Sequence, residues 1–471
     1  MGSTTADAPA WSTLLDSAEE LDCDAEVVQG AIPDGLEGTL YRNGPGGRRF
    51  AGSFFDGDGM IRALTLRADG TARFRSRFVH TRKYLGERGR DTPRYRMPGT
   101  NLPGGPLRNA MRPPAHTANT NAVWHAERLF ACEEGGHPYE LDPTTLSTLR
   151  MESFAGGLPK LGAFSAHPHV DPYTRELFNF GYVFGSAKPT FRAFRIDRAG
   201  RFEHIAAVRL PYISLLHDFA MSERWMAFFL TPAPVSQLRM LLGLDSFFGG
   251  MRWQPELGTR VILVPRAGGS PVMLEMEAFV SAHVVCAWDD GDEVVVNLCA
   301  TDSWADLAPA LGSPATSDFA GLGSGTVRRI RINPASGAIG VEELCGLPSD
   351  FPRINPMRES RRCRYGYLAA NTRRGEGGLY RALLRLDHES GETQLFDHGE
   401  RRVGLEPVFA PRPDATTEDD GWLLQHVHDA DHDRTQYAIF DARAVDAGPV
   451  CTLQLPDNQG ITFHGCWVPT G

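Results

Sequence analysis

The sequence predicts an all-β chain folded as a β-propeller, and three observations carry that reading. From Gly38 almost to the C-terminus it alternates short strand-like runs rich in Val, Leu and Phe with turn residues, the pattern of half-buried strands. One hairpin-like unit recurs at intervals of tens of residues, as blades would. Gly (50) and Pro (33) are numerous and evenly spread, which suits many tight turns rather than one linker. A sandwich, or several separate β domains, stays open as the alternative.

Taken in order, residues 1–30 read as a lead-in with a short amphipathic helix near Trp11–Leu21, and residues 31–471 as a single β-propeller domain. Strands are expected at Thr39–Arg42, Met60–Leu66, Ala72–Phe78, Glu176–Phe180, Val261–Val264, Glu293–Asn297, Leu379–Leu386 and Trp422–Val427. The recurring unit is an apolar strand end, an Asp or Asn, then a polar turn. It is seen at Leu141-Asp142, Val170-Asp171, Ile196-Asp197, Ile332-Asn333 and Leu386-Asp387. The Asx side chain caps such a turn. Residues 231–253 differ, being apolar with few charges. They read either as a cap helix packed on the propeller or as an exposed patch that docks on a membrane or guards a tunnel for an oily substrate.

Composition removes several function classes. A net charge of −10 and a pI of about 5.9 argue against a nucleic-acid binder held by a basic surface. The N-terminus has neither a basic start nor an apolar core, so it does not read as a secretory signal. No run approaches the roughly 20 apolar residues of a spanning helix. The eight cysteines contain no C-x-x-C pair and follow no small-domain disulfide framework, so a reduced, cytoplasmic location is expected, with peripheral membrane contact through the apolar segment. Lysine is confined to Lys83, Lys160 and Lys188, which limits any mechanism that needs a catalytic lysine.

Four histidines, His167, His217, His283 and His464, each sit in an apolar or small-residue context and offer neutral imidazole nitrogens, which suit Zn, Cu, Fe and Ni. They lie far apart in sequence, so only a folded core could gather them. A rival cluster is sharper by spacing: His426 and His428 would share one face of a strand, with Asp429, Asp431, His432 and Asp433 following. Any one of these histidines could equally be a hydrogen-bonded core residue.

Resemblance separates the two. Gly38-Thr39-Leu40-Tyr41-Arg42-Asn43-Gly44-Pro45-Gly46, followed by Phe55-Asp56-Gly57-Asp58-Gly59-Met60, resembles the opening signature of the carotenoid cleavage oxygenase family. Ala166-His167-Pro168, His217-Asp218-Phe219, His283-Val284-Val285 and Phe463-His464-Gly465 resemble its four metal-ligand motifs, in order. The resemblance implies a seven-bladed propeller with a cap over the metal. It implies an Fe(2+) ion on His167, His217, His283 and His464, with dioxygen as co-substrate, and cleavage of a carbon–carbon double bond to two carbonyls.

Three ligands are expected to be fixed by carboxylates. Glu134 and Glu406 match the family's glutamates; Asp350 stands where glutamate is usual, so its shorter arm needs a backbone shift or a bridging water. Cys286 likewise stands where the family often has Asn, and Asp289 where it has Glu. Phe55, Tyr95 and Thr120 are the implied substrate-side residues. The substrate expected is a hydrophobic carotenoid or apocarotenoid. A stilbene is the rival, because Tyr95 resembles a phenol-holding tyrosine, although Glu133 replaces the lysine that would accompany it. A non-catalytic propeller that binds partners on its rim is the second alternative.

Overall fold

A computed structural model of the protein describes residues 13–15, 18–47, 53–185, 188–302, 304–305, 308, 311 and 324–470. Five four-stranded antiparallel sheets and one nine-stranded sheet make a seven-bladed β-propeller. Blades 2 to 6 are consecutive in sequence, spanning residues 121–151, 169–209, 220–276, 280–345 and 349–397. Blade 7 occupies residues 402–454. Blade 1 takes Gly38–Gly47, Asp58–Leu66 and Ala72–Phe78 from the N-terminal side and its remaining strand, Gly465–Pro469, from the C-terminal side. This shared blade closes the ring.

The lead-in expectation is corrected here. Within it, Asp22–Gly30 is a strand that pairs with Cys451–Gln454 of blade 7 and with Ala72–Phe78 of blade 1, and so fuses the two blades into the nine-stranded sheet. Its mostly exposed side chains hide an edge-strand role set by backbone pairing. Of the expected helix near Trp11–Leu21, the described residues hold a single 3-10 turn at Thr13–Leu15. Residues 1–12 and 16–17 lie outside the described residues.

The eight expected strands are all present, most of them a few residues longer than anticipated. All five Asx turns form as read. Asp142, Asp171, Asp197, Asn333 and Asp387 each accept backbone N–H bonds from residues two to four ahead, for example Thr145 N to Asp142 at 2.7 Å and Ser336 N to Asn333 at 2.9 Å. The core is a ring of apolar seams between neighbouring blades, such as Val284, Val296 and Ile330 against Val261 and Phe229.

The apolar segment does not make one cap helix. It folds as two short helices, Gln237–Leu241 and Phe247–Gly250, capped by Ser236 and Ser246. Gly243 turns the chain between them at φ 71°, a conformation glycine adopts freely.

Candidate metal centre

Seven polar side chains gather in one place: His464 just before the last strand of blade 1, Glu134 in blade 2, His167 and His217 just ahead of blades 3 and 4, His283 in blade 5, Asp350 in blade 6 and Glu406 in blade 7. Gly44 and Gly465 make room for this. A Cβ on Gly44 would meet the Ile461 carbonyl oxygen at 2.3 Å, and one on Gly465 would meet that of Tyr41 at 1.9 Å. The Asn-Gly-Pro signature and the His464 strand can therefore lie directly on each other. Asn43 holds them there, donating from its backbone N to the His464 carbonyl at 2.8 Å and accepting from Phe463 N at 2.8 Å.

The four imidazoles converge. Nε2 of His167 and His217 stand 2.9 Å apart, and Nε2 of His283 and His464 stand 3.2 Å apart. All four ligand atoms lie within 4.8 Å of one another, so the quartet could hold a metal ion. The outward Nδ1 atoms meet carboxylates: His217 with Glu134 at 2.9 Å, His283 with Asp350 at 2.7 Å and His464 with Glu406 at 2.8 Å. A carboxylate on Nδ1 fixes its proton there and leaves Nε2 as a lone pair. With both protons on Nδ1, the Nε2 lone pairs of His283 and His464 face each other at 3.2 Å, an arrangement that a bound cation would stabilise. Burial, helped by the other three imidazoles, holds His167 well below the usual histidine range, and burial pushes His464 down to about 3 against the pull of Glu406. At His283 burial acts in the same sense, but Asp350, with Asp218 and Glu406, together outweigh it and raise the group. The donor set is all nitrogen, which suits a first-row transition metal.

Asp350 needs no bridging water. Its bond to His283 is direct, and the backbone supplies the missing reach: the strand shifts register between Asp350 and Arg353, and Phe351 sits at φ 53°.

Several residues around the quartet escaped sequence reading. Arg42 and Arg353 both bond Glu406, Arg353 Nε at 2.8 Å. Asp218 accepts from Val284 N at 2.8 Å and contacts His169 Nε2 at 3.1 Å, so it ties the His217 segment to the His283 strand. Ser165 Oγ lies 3.3 Å from Glu134 and 3.2 Å from the His217 carbonyl. Asp218 and Ser165 could have been found by their places beside motif histidines. Arg42 and Arg353 lie far from Glu406 in sequence and gave no local signal. Cys286 and Cys363, which the cysteine spacing left unpaired, form a disulfide.

The substrate-side expectations divide. The Phe55 ring packs on Phe463, next to His464, at 5.6 Å, and on Phe248 of the cap at 5.8 Å. The Thr120 carbonyl accepts from His464 N at 3.2 Å. Tyr95 is elsewhere: its ring lies beside the helix Arg82–Glu87 with the Arg82 and Arg94 guanidinium groups over it. The rival cluster is core structure. His426 bonds Thr462 at 3.1 Å, His428 bonds Thr13 at 3.0 Å, both are buried, and neither belongs to a metal-holding group among the described residues.

Residues 14–469 match the family described as retinal pigment epithelial membrane protein. The chain belongs to this family, that of the carotenoid cleavage oxygenases. It is 31% identical to apocarotenoid-15,15'-oxygenase of Synechocystis sp. over 96% of this chain and 94% of that one. It is also 31% identical to isoeugenol monooxygenase of Pseudomonas nitroreducens, over 97% of each. Carotenoid 9,10(9',10')-cleavage dioxygenase of Crocus sativus is 29% identical over 95% of this chain and 86% of its own. Among solved structures, a variant of the Synechocystis apocarotenoid oxygenase superposes with a TM-score of 0.91 at 30% identity, covering 98% of both chains. A cobalt-substituted form of the same oxygenase gives 0.90 at 29%.

Proposed function

We propose that the protein is a non-haem Fe(2+) dioxygenase that cleaves a carbon–carbon double bond of a carotenoid or apocarotenoid into two carbonyl products. The observation that carries this reading is the quartet of Nε2 atoms within 4.8 Å of one another, with carboxylates behind three of them. Two of the three named relatives, the Synechocystis apocarotenoid oxygenase and the Crocus sativus cleavage dioxygenase, are oxygenases named for such polyenes and support it. When bound, the iron would bring dioxygen to the double bond for oxidative cleavage. His167, His217, His283 and His464 would hold it through neutral nitrogens; Glu134, Asp350 and Glu406 would fix ring orientation and tautomer.

An apolar route supports a long hydrophobic substrate. Leu107, Met111 and Leu238 are 96%, 73% and 64% exposed, and Leu241, Leu242 and Leu244 extend the same surface. The two stretches are one patch: Met111 N donates to the Leu241 carbonyl at 2.8 Å, and the buried Arg96 guanidinium donates to the carbonyls of Asn109, Arg112, Met240 and Asp245. Phe248 of the cap packs on Phe55, and Phe55 on Phe463, the residue before His464. This surface is suited to take substrate from a membrane or micelle. No helix among the described residues is long and apolar enough to cross a membrane.

A phenolic stilbene fits less well. Glu133, directly before Glu134, is an acid that accepts from Thr117 at 3.1 Å. Lys83 is buried between Asp58 and Glu87, and Lys160 and Lys188 are exposed. Lys83 is thus held by two carboxylates and Tyr95 by the Arg82 and Arg94 guanidinium groups, which weighs against a phenolate-holding pair. The test is product analysis under labelled dioxygen with an apocarotenal and a 4-hydroxystilbene side by side. The expected result is faster turnover of the polyene, with label in both carbonyl products when exchange with water is suppressed. Faster cleavage of the stilbene would reverse the substrate assignment.

A further inference from the structure

Two departures from the family pattern, Cys286 and Asp350, meet at one joint of the propeller. Cys286 follows His283 by three residues on Val280–Asp290 of blade 5; Asp350 lies on Ser349–Arg353 of blade 6. Asp350 is one methylene shorter than glutamate, yet its Oδ1 is 2.7 Å from His283 Nδ1. It reaches from an irregular strand whose Phe351 is held in the left-handed region at φ 53°, a conformation that a bulky side chain resists. Blade 6 must therefore be kept against blade 5 for the contact to persist.

The disulfide supplies that constraint. Cys363 precedes Tyr365–Ala370, the strand that pairs with the Asp350 strand, and it is bonded to Cys286 across a Cα–Cα distance of 6.8 Å. Both cysteines are buried in the apolar seam between the blades with Val285, Trp288, Ile354 and Leu368. His388 Nδ1 lies 3.5 Å from the Cys363 sulfur, and His388 Nε2 is buried without a hydrogen-bond partner.

We propose that Cys286 and Cys363 are a reversible redox clamp on the metal centre, whose closure holds blade 6 against blade 5 so that the short Asp350 can anchor His283. This rests on reading the four histidines as a metal site. In closing, each thiol loses its hydrogen as the S–S bond forms. Hydrogen peroxide takes the two electrons and two protons, its O–O bond breaks, and two waters leave. A dithiol reductant reopens the bridge by exchange and is itself oxidised to a disulfide.

The test is cobalt(II) titration of metal-free protein, read by visible absorption, with non-reducing intact mass to count thiols. The proteins are the peroxide-treated and the dithiol-reduced wild type, Cys286→Ser, Cys363→Ser, and Cys286→Ser with Asp350→Glu. Opening the clamp, by reduction or by either serine variant, is expected to weaken cobalt binding about tenfold, the usual scale for disturbing a ligand's carboxylate partner. The added Asp350→Glu is expected to restore most of the loss, because a longer arm spans the loosened joint; a bridge that only stabilises the fold would not be rescued this way. Equal affinity in all forms, failure of the rescue, or two free thiols after peroxide treatment would each overturn the clamp. So would a thiol-bound zinc found at Cys286, Cys363 and His388 in the purified protein. If oxidised wild type takes up no cobalt, the metal reading itself fails, and the clamp with it.

Discussion

Glu406 and Glu134 each stand within 3 Å of the Nδ1 of a histidine, but their surroundings separate the consequences of losing them. Glu406 is fully buried and receives Arg42, Arg353, His464 Nδ1 and Gly465 N. Burial alone would raise it, yet the two guanidinium groups hold it well below the usual carboxylate range. Glu406→Gln leaves the buried Arg42 guanidinium, and the partly exposed Arg353 beside it, short of an anion, so it is expected to destabilise the fold by about 3 kcal/mol and to unload the metal, as followed by thermal unfolding and metal analysis. Glu134 is 36% exposed, with His217 Nδ1 at 2.9 Å and Ser165 Oγ at 3.3 Å. Glu134→Gln should keep the fold and lower metal affinity or activity about 10–100-fold; unchanged loading and turnover would remove its assigned role. Asp56 gives a pH signature. Burial pushes its carboxyl up to about 6, although Thr100 and Gly99 N bond it. Its folded value thus exceeds its unfolded one. The stability this confers is full below about pH 4 and is lost as pH rises through about 6. Between pH 4.5 and 7 the wild type should lose about 2 kcal/mol relative to Asp56→Asn, checked by denaturant unfolding of both at the two pH values. The four histidines of the quartet were legible because each lies in a short motif. The partners of Glu406 were not, because Arg42 is 364 residues away and only the ring brings it there.

At the scale of elements, turns were the most readable feature. The Asx bonds at Asp142, Asp171, Asp197, Asn333 and Asp387 are local, so composition over four or five residues suffices to find them. The cap was half readable. Its apolarity marked residues 231–253, but the partner stretch Pro106–Met111 is short and was invisible without the Arg96 clamp that binds the two together. The patch makes its own prediction. Leu238→Asp with Leu242→Asp should abolish most sedimentation with phospholipid vesicles while metal loading stays unchanged, since the helix Gln237–Leu241 has no buried residue. Vesicle binding equal to that of the wild type would remove the membrane role from this surface.

For the whole molecule, closure is the organising fact. Blade 1 is assembled from both ends of the chain, and Asp22–Gly30 seals its outer edge to blade 7. An exposed strand held by main-chain pairing carries little hydrophobic pattern, which is why the N-terminal stretch resembled a loose leader in sequence. Removing residues 1–30 is expected to lower the thermal midpoint by about 5–10 °C, as the loss of several kcal/mol would in a chain of this size; an unchanged midpoint would make the seam dispensable. Closure also brings the histidine quartet together, since His167, His217, His283 and His464 come from four different parts of the ring. The measurement that bears most directly on the central claim is metal content, by elemental analysis, of the anaerobically purified wild type and His167→Ala, with His426→Ala as control. About one ferrous iron per chain in the wild type and in His426→Ala, and loss of it in His167→Ala, is the result expected of four imidazole ligands. Zinc in place of iron, or metal that survives His167→Ala and disappears in His426→Ala, would contradict it.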